Sequence, residues 1–350
     1  MNKKVLLGMS GGVDSSVSAI LLKQSGYEVI GATMQMWKPK HCASFVCVED
    51  AKRVCEQIGI QHVTIDCENI FQNKVINNFI QCYKDAKTPN PCVECNKHLK
   101  FGAFVEKAKE LNCDYIATGH YAKVEFSEKY NQYVLKKCKA ESKDQSYFLY
   151  GISKEVLPKM VFPLEEIDNK DMVRNIAQEN GLCVAQKPDS QEVCFIPDND
   201  YGRFLQDNLD KLPNKGKIVL KDKTILGEHK GLIYYTIGQR KGLGIAYKEP
   251  LYVIKLDKEK NQVIVGTEND LYSNELYARK LNFILNVDLS KPLEMYAKVR
   301  YRAKPAKAVL EMLADGNAKI TFEEPQRAIT LGQSVVFYID DIVIGGGIIS

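Results

Sequence analysis

The chain has 350 residues, 45% of them hydrophobic and 26% charged, enough apolar material to bury cores in two or three domains. Its 48 basic and 44 acidic residues leave a net charge of only +4, which excludes a general polycation and makes any basic surface a local one. No apolar run approaches the ~20 residues that cross a bilayer, and the few apolar residues before Ser10 are too short for a signal peptide, so a cytoplasmic location is expected. Eleven cysteines are then expected to be thiols and not a disulfide framework, and any set apart by its setting is a candidate for chemistry.

Through residue 202 the pattern predicts strands at 5–9, 28–34, 62–66 and 115–118, alternating with helices at 15–25, 49–58, 70–83 and 99–110. That alternation implies an α/β domain with a parallel sheet covered on both faces, its ligand crevice beyond the carboxyl ends of the strands. A hairpin is expected at 123–134, and a helix over 168–180 closed by Gly181 as its C′ glycine. From 203 to 272 the texture becomes short apolar–polar alternations broken by glycines, giving a small, mainly β central domain. Residues 273–350 alternate almost throughout, with Asp315-Gly316 as a hairpin signal, and predict a C-terminal β-barrel.

The first strand runs into Ser10-Gly11-Gly12-Val13-Asp14-Ser15-Ser16, and a helical pattern follows. Strand, glycine loop and helix N-terminus together make a phosphate cradle: glycines permit the tight turn, backbone N–H groups and serine hydroxyls donate, and the helix dipole favours an anion. The loop lacks the Gly-Lys-Ser/Thr ending of the Walker type. It resembles the SGGxDS loop of ATP pyrophosphatases, which implies cleavage of ATP between the α and β phosphates to adenylate a substrate. Amide-forming ligases and tRNA-modifying enzymes share that loop, so it leaves the substrate open.

Thr88-Pro89-Asn90-Pro91-Cys92-Val93-Glu94-Cys95-Asn96 is expected to be a rigid loop presenting two cysteines ahead of a helix from about Lys97, where a thiol gains thiolate character. Cys194 lies in Asp189-Ser190-Gln191-Glu192-Val193-Cys194-Phe195-Ile196. With Thr118-Gly119-His120-Tyr121, Lys143-Asp144-Gln145-Ser146-Tyr147, residues 235–243 and the terminal Gly345-Gly346-Gly347, these segments closely resemble the bacterial tRNA 2-thiouridylases of the MnmA type, over nearly the whole chain.

The resemblance implies a 2-thiouridylase that uses ATP with Mg2+, acts on the wobble uridine of tRNA and draws sulfur from a cysteine desulfurase or sulfur-relay protein; a monomer is expected. It implies Cys95 as nucleophile and Cys194 as persulfide carrier. Gly8, Met9, Ser10, Gly11, Gly12, Val13, Asp14, Ser15, Met34 and Gly119 become ATP contacts. Asn90, Pro91 and Cys92 fall beside the target base, and His120, Lys143, Asp144, Gln145, Tyr301, Arg302 and Gln333 face tRNA; Arg240 joins that set through its local basic cluster and not through the resemblance. Cys92 departs from relatives that carry aspartate there.

Two chemistries fit three thiols in one pocket: sulfur transfer through a persulfide, which is preferred, or ligation of an iron–sulfur cluster by Cys92, Cys95 and Cys194. A catalytically silent tRNA-binding protein is the alternative to an enzyme, and the intact loop with Cys95 and Cys194 weighs against it. Local basic clusters suit a polyanion: Lys215, Lys217, Lys221 and Lys223, Arg240-Lys241, and Arg300, Arg302, Lys304 and Lys307. The lysines of 215–223 are expected chiefly as solvated surface. His41, Cys42 and Cys47 near Trp37 lack a second ligand pair, so no metal is assigned there. The remaining cysteines are expected to be small buried hydrophobes.

Overall fold

The computed structural model describes residues 3–36, 48–188, 193–196, 198–209, 211 and 213–350. His41, Cys42 and Cys47 lie outside the described residues.

The N-terminal sheet is parallel, in the order β3-β2-β1-β4-β7. Its strands in chain order are β1 (Lys4–Gly8), β2 (Glu28–Gln35), β3 (Gln61–Asp66) and β4 (Tyr115–Thr118). A hairpin of β5 (Lys123–Ser127) and β6 (Gln132–Lys136) follows, and then the short β7 (Met160–Val161). In β1, Val5, Leu6 and Leu7 are all fully buried, as a central strand covered on both faces requires. Its alternation divides two cores: Leu6 joins Ile30 and Ile116 on one face, while Val5 and Leu7 join Val17 and Val54 on the other. The strand order reverses at β1, with β2 on one side and β4 on the other. That reversal opens the crevice between the loops that follow β1 and β4.

The central domain is a four-stranded sheet of β8 (Gly216–Leu220), β9 (Ile225–His229), β10 (Tyr252–Asp257) and β11 (Gln262–Gly266). Ile218, Val253, Val263 and Val265 are fully buried at its centre.

The C-terminal strands are β12 (Tyr272–Phe283), β13 (Leu293–Lys298), β14 (Ala306–Met312), β15 (Ala318–Arg327), β16 (Ser334–Ile339) and β17 (Ile342–Ile349). They run β12-β15-β14-β13-β16-β17, and pairing of β12 with β17 closes the barrel. The N-terminal hairpin joins this sheet through Ile342 and Lys136, a long-range pairing invisible to local pattern. The glycines of β17 serve the closure. A Cβ on Gly345 would stand 2.2 Å from the Asn282 carbonyl oxygen, and one on Gly346 would stand 2.6 Å from that of Val335. Gly345→Val should therefore cost about 3 kcal/mol through overpacking. A clear fall in the thermal midpoint is expected, and an unchanged midpoint would show that the barrel can close without that glycine.

Other boundaries fall close to expectation. Helix Lys170–Glu179 ends as foreseen, with Gly181 at φ +64° and the Leu182 amide bonded to the Ala177 carbonyl. The expected cysteine loop differs: Pro91–Cys95 is itself helical, with Pro91 in its first turn and Asn90 at its N-cap. Proline's fixed φ and missing N–H suit that position, so the second proline starts a helix where a rigid loop was read. Beyond it the chain widens into a π-helical stretch, Asn96–Ala103, before the α-helix Phe104–Glu110.

Candidate active site

The phosphate loop forms at the carboxyl end of β1. Gly11 takes φ +69°, and Gly12 is the N-cap of helix Val13–Gln24. The Ser10 hydroxyl accepts from the Gly12 amide at 3.3 Å, while the Ser15 and Ser16 hydroxyls donate to the Gly12 carbonyl at 3.0 and 2.8 Å. These bonds fix the turn, and the first amides of the helix, which have no acceptor within it, point beyond its N-terminus. Met9 and Val13 are buried beneath the loop. Gly8 closes β1, and Met34, near the end of neighbouring β2, is buried in the core beside it.

Gly119 follows β4 and abuts the loop, for a Cβ there would lie 3.0 Å from the Asp14 carbonyl carbon and 3.0 Å from the Ser15 nitrogen. The next residues divide between two neighbours. Tyr121 donates its hydroxyl to Asp14 Oδ1 at 2.8 Å. His120 turns the other way: its Nδ1 meets Thr118 Oγ1 at 2.8 Å, its Nε2 stands 3.5 Å from Lys100 Nζ, and its ring lies between Phe101 and Phe162. Burial first, and the Lys100 charge second, hold the imidazole well below its ordinary pKa, so it is neutral at pH 7.

The thiols form the other half of the site. Cys95 is buried, whereas Cys92 and Cys194 keep exposed surface, and all three are free. Crowding by the surrounding protein pushes the Cys92 thiol up to about 11 and the Cys194 thiol up to about 12, and it raises Cys95 as well. Cys194 feels the charge of both Cys95 and Cys92, which places the three in one electrostatic neighbourhood. The expected gain of thiolate character at Cys95 is thus not found, because desolvation outweighs position on the helix. Among the described residues no three His, Cys, Asp or Glu side chains gather as a metal-holding group.

Sequence reasoning missed three lysines. Lys170 Nζ reaches both carboxylate oxygens of Asp14 at 2.7 Å. It opens its helix, where a cation opposes the dipole, and that misplacement was a readable sign of an anionic partner. Lys187 bonds the Gly11 carbonyl at 3.0 Å and Asp50 at 2.8 Å, tying the chain that leads to Cys194 to the phosphate loop. Lys100 lies beside His120.

The residues expected to face tRNA divide. Arg240 and Arg302 are exposed, and Lys143 is half-buried on the turn Glu141–Lys143. Tyr301 is half-buried with its ring 4.5 Å from that of Phe148 and the Lys298 ammonium above it. Asp144 is buried and accepts from the Ser146 hydroxyl at 2.8 Å, and Gln145 accepts from the Tyr121 amide. Gln333 donates to the carbonyls of Thr88 and Pro89, holding the chain that leads to Asn90 and Pro91. Those three side chains have internal partners and brace the segments around the site. Arg300, expected with the basic cluster, bonds the carbonyls of Ile237 and Ala328 and the Thr330 hydroxyl, fastening the central domain to the barrel. Lys217 and Lys221 are paired with Glu228 and Asp270, consistent with ordinary surface. Of the discounted cysteines, Cys55, Cys67 and Cys138 are buried but Cys183 is exposed.

Comparison with known proteins gives the same order of parts. Residues 3–198 match the tRNA methyl transferase HUP domain, 202–267 the tRNA methyl transferase PRC-barrel domain, and 273–349 the aminomethyltransferase beta-barrel domain. The tRNA-specific 2-thiouridylase MnmA of Clostridioides difficile strain 630 is 49% identical over 100% of this chain and 98% of its own length. The chain belongs to the MnmA family of tRNA-specific 2-thiouridylases. The MnmA of Clostridium botulinum strain Alaska E43 is 50% identical, over 99% of this chain and 98% of that protein. A solved U34-tRNA thiolase, NcsA of Methanococcus maripaludis with its [4Fe-4S] cluster, aligns at a TM-score of 0.37 and 21% identity over 60% of this chain and 67% of that one. At that distance the likeness says nothing of this chain's cysteines.

Proposed function

We propose that the protein adenylates the C2 oxygen of the wobble uridine of tRNA with ATP and replaces it by sulfur carried on Cys194, giving 2-thiouridine, AMP and pyrophosphate. As a member of its family the chain is a tRNA-uridine 2-sulfurtransferase of the ATP-utilising loop type. The observation that supports the finer reading is residues 118–121, which touch the phosphate loop through Gly119 and Tyr121 and meet, through His120, the Lys100 ammonium whose charge acts on the three thiols.

A uridine C2 oxygen leaves poorly until it carries AMP. Its attack on the α-phosphorus expels pyrophosphate, received by the amides and hydroxyls of residues 10–16, while the base loses its N3 proton. Mg2+ accompanies ATP in this reading, and Asp14 is the carboxylate of the loop. The terminal sulfur of a Cys194 persulfide then attacks C2, and AMP departs with the oxygen. Cys95 attacks Sγ of Cys194, forming a Cys95–Cys194 disulfide and leaving the electron pair on the C2 sulfur. In the other order, Cys95 attacks first and the released sulfide attacks C2. Either way, two thiols are oxidised while the transferred sulfur is reduced, and an external dithiol resets the site. A cysteine desulfurase or sulfur-relay protein would load Cys194.

With α-labelled ATP and tRNA, AMP and pyrophosphate should appear in proportion to 2-thiouridine. ADP and orthophosphate in that proportion would overturn the proposal.

Arg240 and Arg302 are the exposed arginines of the tRNA-facing set. Arg240→Ala and Arg302→Ala should each weaken tRNA binding and reduce its salt slope by roughly one unit per lost phosphate contact. Titration across ionic strengths measures this, and unchanged slopes in both variants would take the two residues off the tRNA surface.

A further inference from the structure

We propose that Lys100 supplies the positive charge for the sulfur-transfer step, its ammonium standing where the thiol pocket meets the turn after β4. The inference rests on the reading above that sulfur reaches an adenylated base at this site.

The placement comes from the π-helical stretch. Lys100 is five residues beyond Cys95, and in an α-helix that spacing sets two side chains about 140° apart around the axis. From Asn96, which directly follows Cys95, the chain takes the wider i to i+5 repeat until it kinks at Phe101 (φ −124°, ψ 17°), and that widening before the kink brings such a pair toward one face. Lys100 Nζ accordingly reaches His120 Nε2 at 3.5 Å. Since Nδ1 of the neutral ring faces Thr118 Oγ1, Nε2 is free of its proton when Nδ1 carries it, and the ammonium donates there. His120 thus fixes the amine from one side without neutralising it.

Two further observations point to an anion as the missing partner. Among the described residues no carboxylate pairs with Lys100, although it is half-buried, where a charge is normally compensated. Lys100 is also the cation that opposes the effect of burial at Cys92, Cys95 and Cys194 alike.

Two negative charges must meet during transfer: the persulfide or sulfide that attacks C2, and the α-phosphate that leaves with AMP. Their mutual repulsion grows as the sulfur approaches, and a charge on a half-buried side chain acts on it with less screening than one in open water. An ammonium between them lowers that repulsion and receives charge as the C2–O bond breaks. Adenylation needs no such help from the thiol side, because its departing pyrophosphate sits on the phosphate loop.

The test compares Lys100→Met, which keeps length without charge, and Lys100→Arg with the full-length wild type, all with matching thermal midpoints. Cys194 is first loaded with persulfide, and a single turnover with ATP and tRNA is followed by both pyrophosphate release and 2-thiouridine formation. Lys100→Met should release pyrophosphate within about threefold of wild type but form 2-thiouridine about a hundredfold more slowly, and Lys100→Arg should recover much of that loss. Iodoacetamide labelling of Cys95 and Cys194 at fixed pH, without ATP or tRNA, should also slow in Lys100→Met. Wild-type transfer in Lys100→Met, or an equal fall in both steps, would overturn the proposal. If wild type itself releases no pyrophosphate with tRNA, the adenylation reading fails, and unchanged labelling in Lys100→Met separately removes the charge from the thiols.

Discussion

Asp14→Asn is expected to slow tRNA-dependent pyrophosphate release by about a hundredfold or more while tRNA affinity stays within about twofold. Asp14 holds the Lys170 ammonium through both carboxylate oxygens and also receives the Tyr121 hydroxyl. A carboxamide offers one oxygen and no charge, so the ion pair between Asp14 and Lys170 is lost and the loop's link to the turn carrying Gly119 and His120 is weakened. Ser10→Ala removes the acceptor for the Gly12 amide and a contact with Ser15 but leaves the ion pair, so a smaller loss of about tenfold is expected. Single-turnover pyrophosphate release alongside filter binding of tRNA separates the two effects. Wild-type release by Asp14→Asn would detach the loop from ATP chemistry, and loss of tRNA affinity in step with release would mean that the variant had disturbed more than the loop.

Much of the architecture was legible because its signals are local. A buried parallel strand is an apolar run, and the prediction at 28–34 lies within Glu28–Gln35. A left-handed glycine ends the helix at Gly181, and the Asp315-Gly316 signal sits at the β14–β15 turn, with Gly316 at φ +80°. The joining of β5–β6 to the barrel was not legible, since it rests on residues far apart in sequence. Neither was the pitch of the cysteine helix: nothing in Asn-Lys-His-Leu-Lys announces an i to i+5 repeat, and with it Lys100 escaped notice. The glycines of the phosphate loop stood out through their strand–loop–helix context, whereas Cys95 and Cys194 were singled out among eleven cysteines only by the family resemblance. Its lysines could not, for lysine is common over the surface and only tertiary packing separates Lys100, Lys170 and Lys187 from the rest. Tertiary structure also reverses a local inference at Cys95, where the helix start suggested a reactive thiolate and burial raises the thiol.

Cys194→Ser should abolish 2-thiouridine formation by metal-free protein, a loss of about a thousandfold or more, because no other group in this reading carries the sulfur. Cys95→Ser should be as damaging to multiple turnover, but its single turnover separates the two orders of attack. If the persulfide attacks C2 before Cys95 acts, the serine variant stops with tRNA joined to Cys194 through a C2–S–S bond, an adduct that a reductant releases as 2-thiouridine. If Cys95 must first liberate sulfide, no adduct forms and added sulfide restores activity. Cys92→Ser should stay within about threefold of wild type, since Cys92 is exposed at the first helical turn and neither order of attack uses it. A cluster would behave differently, for three ligands held in common fail together. Iron-dependent activity lost equally in Cys92→Ser, Cys95→Ser and Cys194→Ser would therefore replace persulfide transfer with cluster chemistry. Retained activity in metal-free Cys92→Ser would leave the Cys95 and Cys194 pair as the redox couple that the sulfur balance requires.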